Sequence, residues 1–307
     1  MLEHITRGLY YFEVHLLFAS IVGLVAWVLT SIRGGSATTK YWIWVVTMLN
    51  FFLPVGAVLD KLFATRLAWA TPLGVIGDVA NRMSLSPVLW MVWSLGTILM
   101  LTRLCVRIRA GRRDDQVAAS QSALEPSWNL IANGVPIKFA ETQHAPAVHG
   151  VLRPHISLPR GIERLLSQHE LNAVLIHELT HARRHDNLIR LVHEVVVCAL
   201  WFHPLVWLAG SRLALYRELS CDESVIQSDH GEDLVSALAK LANPQEEFLL
   251  QATVSSFMSD RLALLATRSQ RTCRGANTLL TAVFGAIFVG GVFATVAHTA
   301  CCFVAKK

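Results

Sequence analysis

His177-Glu178-Leu179-Thr180-His181 is the stretch whose residue types and spacing can do chemistry. On a helix, residues four apart share a face, so the two imidazoles can grip one divalent metal ion. Glu178, one residue along, can reach a water on that metal and act as its general base. The pattern offers two ligands and a base in just over one helical turn, which is the chemistry of a zinc hydrolase. With 13 His among 307 residues, chance supplies such a pattern about 0.02 times. The bland alternative is an amphipathic helix with a polar face, and the surroundings have to decide.

Those surroundings favour a site. Ser167-Gln168-His169-Glu170 reads as a capping box that starts a helix just before Leu171. Leu171, Val174, Leu175 and Ile176 then form an apolar run that should be buried. Two imidazoles buried beside it without a partner would be costly, and a metal removes that cost. Arg183, Arg184, His185 and Asp186 suit the helix C-terminus. A third protein ligand is needed, with the fourth position left to water. A third-histidine pattern would need Gly at 184 and His at 187, whereas the chain has Arg184 and Asn187. Downstream, Glu218 and Asp222 lie four apart on a second helical stretch, Arg217 to Glu223. We assign Glu218 as the third ligand and Asp222 as the acid that orients a ligand imidazole. The competing reading of this pair is an exposed acidic helix face.

Composition points to a membrane. Hydrophobic residues make up 53%, charged residues only 16%, and mean hydropathy is +0.44; a soluble enzyme is nearer a quarter charged. Stretches at about 9–30, 87–106 and 278–304 are each long enough to span a bilayer, and 41–59 is apolar enough despite Asn50 and Pro54. The first is too long for a signal peptide and lacks a cleavage site, so it is read as a retained helix. Glu13 and His15 near its start are read as interfacial groups. Residues 188–209 carry Arg190, His193, Glu194, His203 and Pro204, and read as a buried or membrane-dipping helical hairpin.

This divides the chain into a membrane region at 1–107, a cytoplasmic domain at 108–276, and a fourth span with a short outer tail at 277–307. Orientation follows from the basic residues. Arg103, Arg107, Arg109, Arg112 and Arg113 follow the third span, and Arg261, Arg268, Arg271 and Arg274 precede the fourth. Both clusters flank the HELTH segment and place it in the cytoplasm, with both termini outside. The net charge of +5 is therefore a matter of topology and calls for no nucleic-acid partner. Within the domain, Val135 to Ala140 reads as a strand, Pro146 to Gly150 as a turn, and Arg153 to Pro159 as another short strand. An edge strand beside the metal can hold an extended peptide. The six cysteines show no metal-binding spacing. Gly285, Gly290 and Gly291 in the last span permit close helix packing, and with it a homodimer.

The ordered set HELTHARRHD, FHPLVW (Phe202 to Trp207) and RELSCDE resembles the BlaR/MecR-type antirepressor membrane zinc metallopeptidases, as does HGVLRPHISLP ahead of it. The resemblance covers nearly the whole chain. It implies a mainly α integral membrane protein of the bacterial inner membrane. Four transmembrane helices would carry a gluzincin-like α+β zinc domain between the third and fourth. It implies that His177, His181 and Glu218 bind zinc and that Glu178 is the catalytic base. The substrate would be a cytoplasmic protein, a transcriptional repressor or the chain itself, with self-cleavage at Ser256–Phe257. Relatives that sense β-lactams carry an extracellular penicillin-binding domain after the last span; without one, the input is expected through the span loops, a separate sensor partner or the membrane itself. Candidates for the oxyanion donor are His185, His203, Tyr216 and Arg217. Two other readings compete: a heat-shock or prenyl-protein-type membrane zinc protease, and a non-catalytic membrane signal transducer that keeps the zinc fold.

Overall fold

A computed structural model describes residues 2–32, 34–53, 87–117, 134–140, 145–241, 261 and 274–304. The chain is mainly helical with one small sheet. Three N-terminal helices come first: α1 (Leu2–Ser31), α2 (Ala37–Phe52) and α3 (Pro87–Val117). Strands β1 (Ile137–Ala140), β2 (Ala147–His149) and β3 (His155–Pro159) follow. Then come α4 (Ile162–Leu165), α5 (Gln168–Arg183), α6 (Asp186–Ala199), α7 (Pro204–Gln227), α8 (Gly231–Leu241) and α9 (Arg274–Val304).

The sheet order is β1-β3-β2, with β1 parallel and β2 antiparallel to β3. The segment expected to turn at 146–150 is therefore partly strand, and β2 is an edge. The turn itself comes later, because Gly150 adopts φ 83° and a side chain there would meet the Arg153 carbonyl.

The start of α5 is built as its sequence predicts. Ser167 Oγ accepts from Glu170 N at 3.3 Å, and Ser167 N donates back to Glu170 Oε2 at 2.7 Å. Glu170 also accepts from Ser236 and Lys240 of α8, so the capping residue ties two helices together. Those hydrogen bonds, that of Lys240 foremost, hold its carboxyl at about 2, well below the ordinary 4.5. Behind the cap, Leu171, Leu175 and Leu179 pack on Ile156 and Leu158 of the sheet and Leu234 of α8. Asp186, expected near the end of α5, instead begins α6. His185 turns through the left-handed region at φ 53°, so the chain reverses and Asp186 becomes a first-turn acid.

A second core joins α1, α2, α7 and α9 through Val22, Tyr41, Trp44, Leu213, Phe284 and their neighbours. Helix α7 belongs to both cores: Ala209, Leu213 and Tyr216 pack in the helical bundle, whereas Val225 packs in the sheet-bearing core. Glu218 and Asp222 lie between those two regions. The hairpin expected at 188–209 is present as α6, a short turn and α7, with Pro204 at the first turn where its missing N–H costs nothing.

Among the described residues, one helical stretch, Val88–Ala110, is long and apolar enough to cross a bilayer. It leaves Met91, Leu95 and Leu99 largely exposed and meets α6 through Trp93 Nε1 donating to the Ala199 carbonyl and Arg107 pairing with Glu194. The apolar stretches His15–Ser31 and Ala276–Val292 are shorter. Helix α2 ends at Phe52, and Leu53 is extended, as a residue before proline favours; residues 54–59 of the expected second span lie outside the described residues. On α9, Gly291 abuts the Phe18 ring of α1, a contact that leaves no room for a side chain.

Because Glu170 is depressed in the fold, its contribution is complete above about pH 4.5 and lost as pH falls through about 2. Glu170→Gln is expected to lower the melting temperature of the purified protein near neutral pH. The gap to wild type should narrow as the pH falls from about 4.5 towards 2. Thermal unfolding across that range measures it, and a pH-independent gap would contradict the assignment.

Candidate metal centre

Helix α5 presents His177 and His181 on one face, with ring centroids 4.9 Å apart and their Nε2 atoms 3.2 Å apart. Glu218 of α7 brings Oε2 to 3.7 Å from one Nε2 and 3.8 Å from the other. A tetrahedral zinc holding ligands at about 2.0–2.1 Å would set them roughly 3.3 Å apart. Three donor atoms 3.2–3.8 Å apart therefore fit such an ion with little adjustment.

Each imidazole has a carboxylate behind it. His181 Nδ1 lies 2.7 Å from Asp186 Oδ2. His177 Nδ1 lies 3.1 Å from Asp222 Oδ1, an ion-pair contact set off the line of a straight hydrogen bond. With Nδ1 so engaged, each Nε2 is left to face the metal position. Three of the carboxylates also take an arginine. Arg184 Nη2 donates to Asp186 Oδ2 at 2.6 Å. Arg217 donates through Nε and Nη2 to Glu218 Oε1 at 3.1 and 3.0 Å. Arg261 holds both oxygens of Asp222 at 2.8 and 2.9 Å.

Burial alone would push these acids up. His177, His181 and Arg217 instead hold Glu218 well below its ordinary value, and His177 with Arg261 lowers Asp222. His181 and Arg184 likewise hold Asp186 down against burial. For His177, burial favours the neutral ring, but Asp222 and Glu218 outweigh it and raise its pKa to about 9. A pocket that stabilises a proton on His177 also stabilises a metal cation placed against it.

The centre opens into a cleft of about 400 Å³. Glu178 lines it beside both histidines and Glu218. Val148 of β2 stands on one wall, and Val174, Leu234 and Leu238 form an apolar one. Cys221 Sγ also comes within 4.8 Å of ligand nitrogens. It is fully buried, does not line the cleft, and accepts a contact from Arg184 Nη2 at 3.0 Å. Burial pushes its thiol pKa up, which disfavours the thiolate that a metal needs. Burial and protonation favour the carboxylate of Glu218 over this thiol as a third donor.

The structure thus brings together His177, Glu178, His181, Glu218 and Asp222. Ser256 and Phe257 lie outside the described residues. Of the four oxyanion candidates, Arg217 lines the cleft. Tyr216 points into the bundle and donates to the Thr30 carbonyl at 2.8 Å, His203 meets Ser20 at 3.0 Å, and His185 makes the turn between α5 and α6. Sequence reasoning missed Asp186, Arg184 and Arg261 as supports. Only Asp186 left a local signal, an acid five residues beyond His181.

Residues 12–265 match the BlaR1 peptidase M56 family. The chain belongs to that family. It is 38% identical over 84 residues to the regulatory protein BlaR1 of Bacillus licheniformis, covering 27% of this chain and 14% of that protein. It is 23% identical over 162 residues to the methicillin resistance mecR1 proteins of Staphylococcus aureus and Staphylococcus epidermidis, covering 48% of this chain and 27% of each relative. The matched stretches thus span only a small part of those regulatory proteins.

Asp222→Asn and Asp186→Asn are each expected to weaken zinc affinity by about 10- to 100-fold, and His181→Ala to abolish tight binding. Chelator competition on the purified protein measures this; wild-type affinity in both Asn variants would contradict the supporting role.

Proposed function

We propose that this chain is an integral membrane zinc-dependent endopeptidase acting in signal transduction. The observation that carries this reading is the triangle of His177 Nε2, His181 Nε2 and Glu218 Oε2, set in a cleft that Glu178 also lines. Zinc bound there would act as a Lewis acid, lowering the pKa of a water towards ~7 and polarising a peptide carbonyl. Glu178 takes the proton of the attacking water and passes it to the leaving amine. Arg217, at the cleft wall, is the candidate donor to the developing oxyanion.

An extended substrate would lie along β2. It is an edge strand of the sheet, where an extended peptide can add. Asn187 steadies it, donating through Nδ2 to the Val148 and Gly150 carbonyls at 2.9 and 3.1 Å. The apolar wall of Val174, Leu234 and Leu238 suits a hydrophobic substrate side chain.

The substrate we favour is a cytoplasmic protein, a repressor-like partner or the chain itself. Self-cleavage at Ser256–Phe257 has one structural support. Arg261, four residues beyond Phe257, lies in the cleft wall, and four extended residues reach about 13 Å. The long apolar stretch in α3 and the exposed apolar faces of α1 and α9 support four spans in a bacterial inner membrane. The domain of 108–276 would then face the cytoplasm.

Glu178→Gln is expected to retain zinc and to lower cleavage by about 10²- to 10⁴-fold. Full-length protein tagged at both ends and expressed in membranes supplies the readout, with fragments scored by mass and zinc quantified in both forms. Equal fragmentation of wild type and variant would overturn the assignment of Glu178.

A further inference from the structure

Helix α2 belongs to the apolar N-terminal bundle, yet its first turns reach the metal centre. Tyr41 is fully buried, and its hydroxyl donates to Asp186 Oδ1 at 2.6 Å. The other oxygen of Asp186 accepts from His181 Nδ1 and from Arg184. Arg184 also lies over the Tyr41 ring, 4.4 Å from its centroid. One turn earlier, Thr38 donates through N and Oγ1 to Glu223 Oε2 at 3.0 and 2.8 Å, and its hydroxyl lies 3.2 Å from Ser220 Oγ. The start of α2 therefore grips both the acid behind His181 and the stretch of α7 that carries Glu218 and Asp222.

We propose that Tyr41 is a positioning residue for the metal centre, through which the seating of α2 sets metal affinity. The proposal rests on the metallopeptidase reading above. A carboxylate steers an imidazole only if it is itself held. Asp186 is buried, and Tyr41 is the partner of its Oδ1 among the described residues. Without that hydroxyl, Oδ1 loses a hydrogen bond that bulk water is poorly placed to replace. The carboxylate is then free to rotate about its remaining contacts, and His181 loses its fixed orientation. Any signal that shifts α2 along α7 would act through the same bond. The input would thus reach the metal from the bundle side, through the acid behind His181.

The test uses the full-length protein in detergent, in a Glu178→Gln background that prevents self-cleavage. Zinc itself is the probe, with affinity read by chelator competition and stability by thermal unfolding. Tyr41→Phe removes one hydroxyl and keeps the ring. Thr47→Val is the control: it removes another fully buried hydroxyl of α2, one that among the described residues bonds within the helix to the Ile43 carbonyl. Tyr41→Phe is expected to weaken zinc binding by about 10-fold, and Thr47→Val to leave it within about twofold, although both destabilise the fold. In an Asp186→Asn background, Tyr41→Phe should have little further effect, since the two act through one contact. Wild-type affinity in Tyr41→Phe would overturn the proposal. So would equal losses in Tyr41→Phe and Thr47→Val, or additive losses with Asp186→Asn. A parent protein that binds no zinc would overturn the metallopeptidase reading and this proposal with it.

Discussion

Two imidazole nitrogens 3.2 Å apart in a largely buried pocket are the constraint on which the rest of the structure depends. Such nitrogens need a proton or a metal cation between them, and the carboxylates around them favour positive charge there. Four carboxylates, Glu178, Asp186, Glu218 and Asp222, surround the pair. Three have an arginine at hydrogen-bond distance: Arg184 for Asp186, Arg217 for Glu218, and Arg261 for Asp222. Glu178 has no such arginine among the described residues, and it is the carboxylate proposed to carry a proton. The arginines explain how so much negative charge stays buried without a crippling desolvation cost. The excess carboxylate leaves the pocket favourable to positive charge, which a divalent ion would supply.

The arrangement depends on α7 serving two cores. Its first half packs with α1, α2 and α9, its last turns with the sheet and α5, and Glu218 and Asp222 sit between. A helix of 24 residues spans about 36 Å, enough to carry a displacement in the apolar bundle into the ligand set. For a protein whose relatives are regulatory, this offers a physical path by which a change in the bundle can alter the chemistry.

What could be read in advance was local. The capping box of Ser167 and Glu170, the shared face of His177 and His181, and the spacing of Glu218 and Asp222 all follow from helical periodicity. The structure has each where that periodicity puts it. Contacts across long separations left no trace in the chain. Arg261 meets Asp222 from 39 residues away, and Tyr41 meets Asp186 from 145. Asp186 was misassigned for a different reason. A left-handed His185 reverses the chain after α5, a conformation that a non-glycine residue seldom adopts. The strand at Ala147–His149 was hidden between two turn-like residues, Pro146 and Gly150, which bracket it instead of forming one turn.

The central claim is the ligand set, and X-ray absorption at the zinc edge of the purified full-length protein tests it most directly. The account predicts one zinc per chain with imidazole and oxygen donors at about 2.0–2.2 Å and no sulfur shell. A scatterer at about 2.3 Å would mean that Cys221 has replaced Glu218. Absence of zinc, or a site unchanged by His181→Ala, would contradict the account outright.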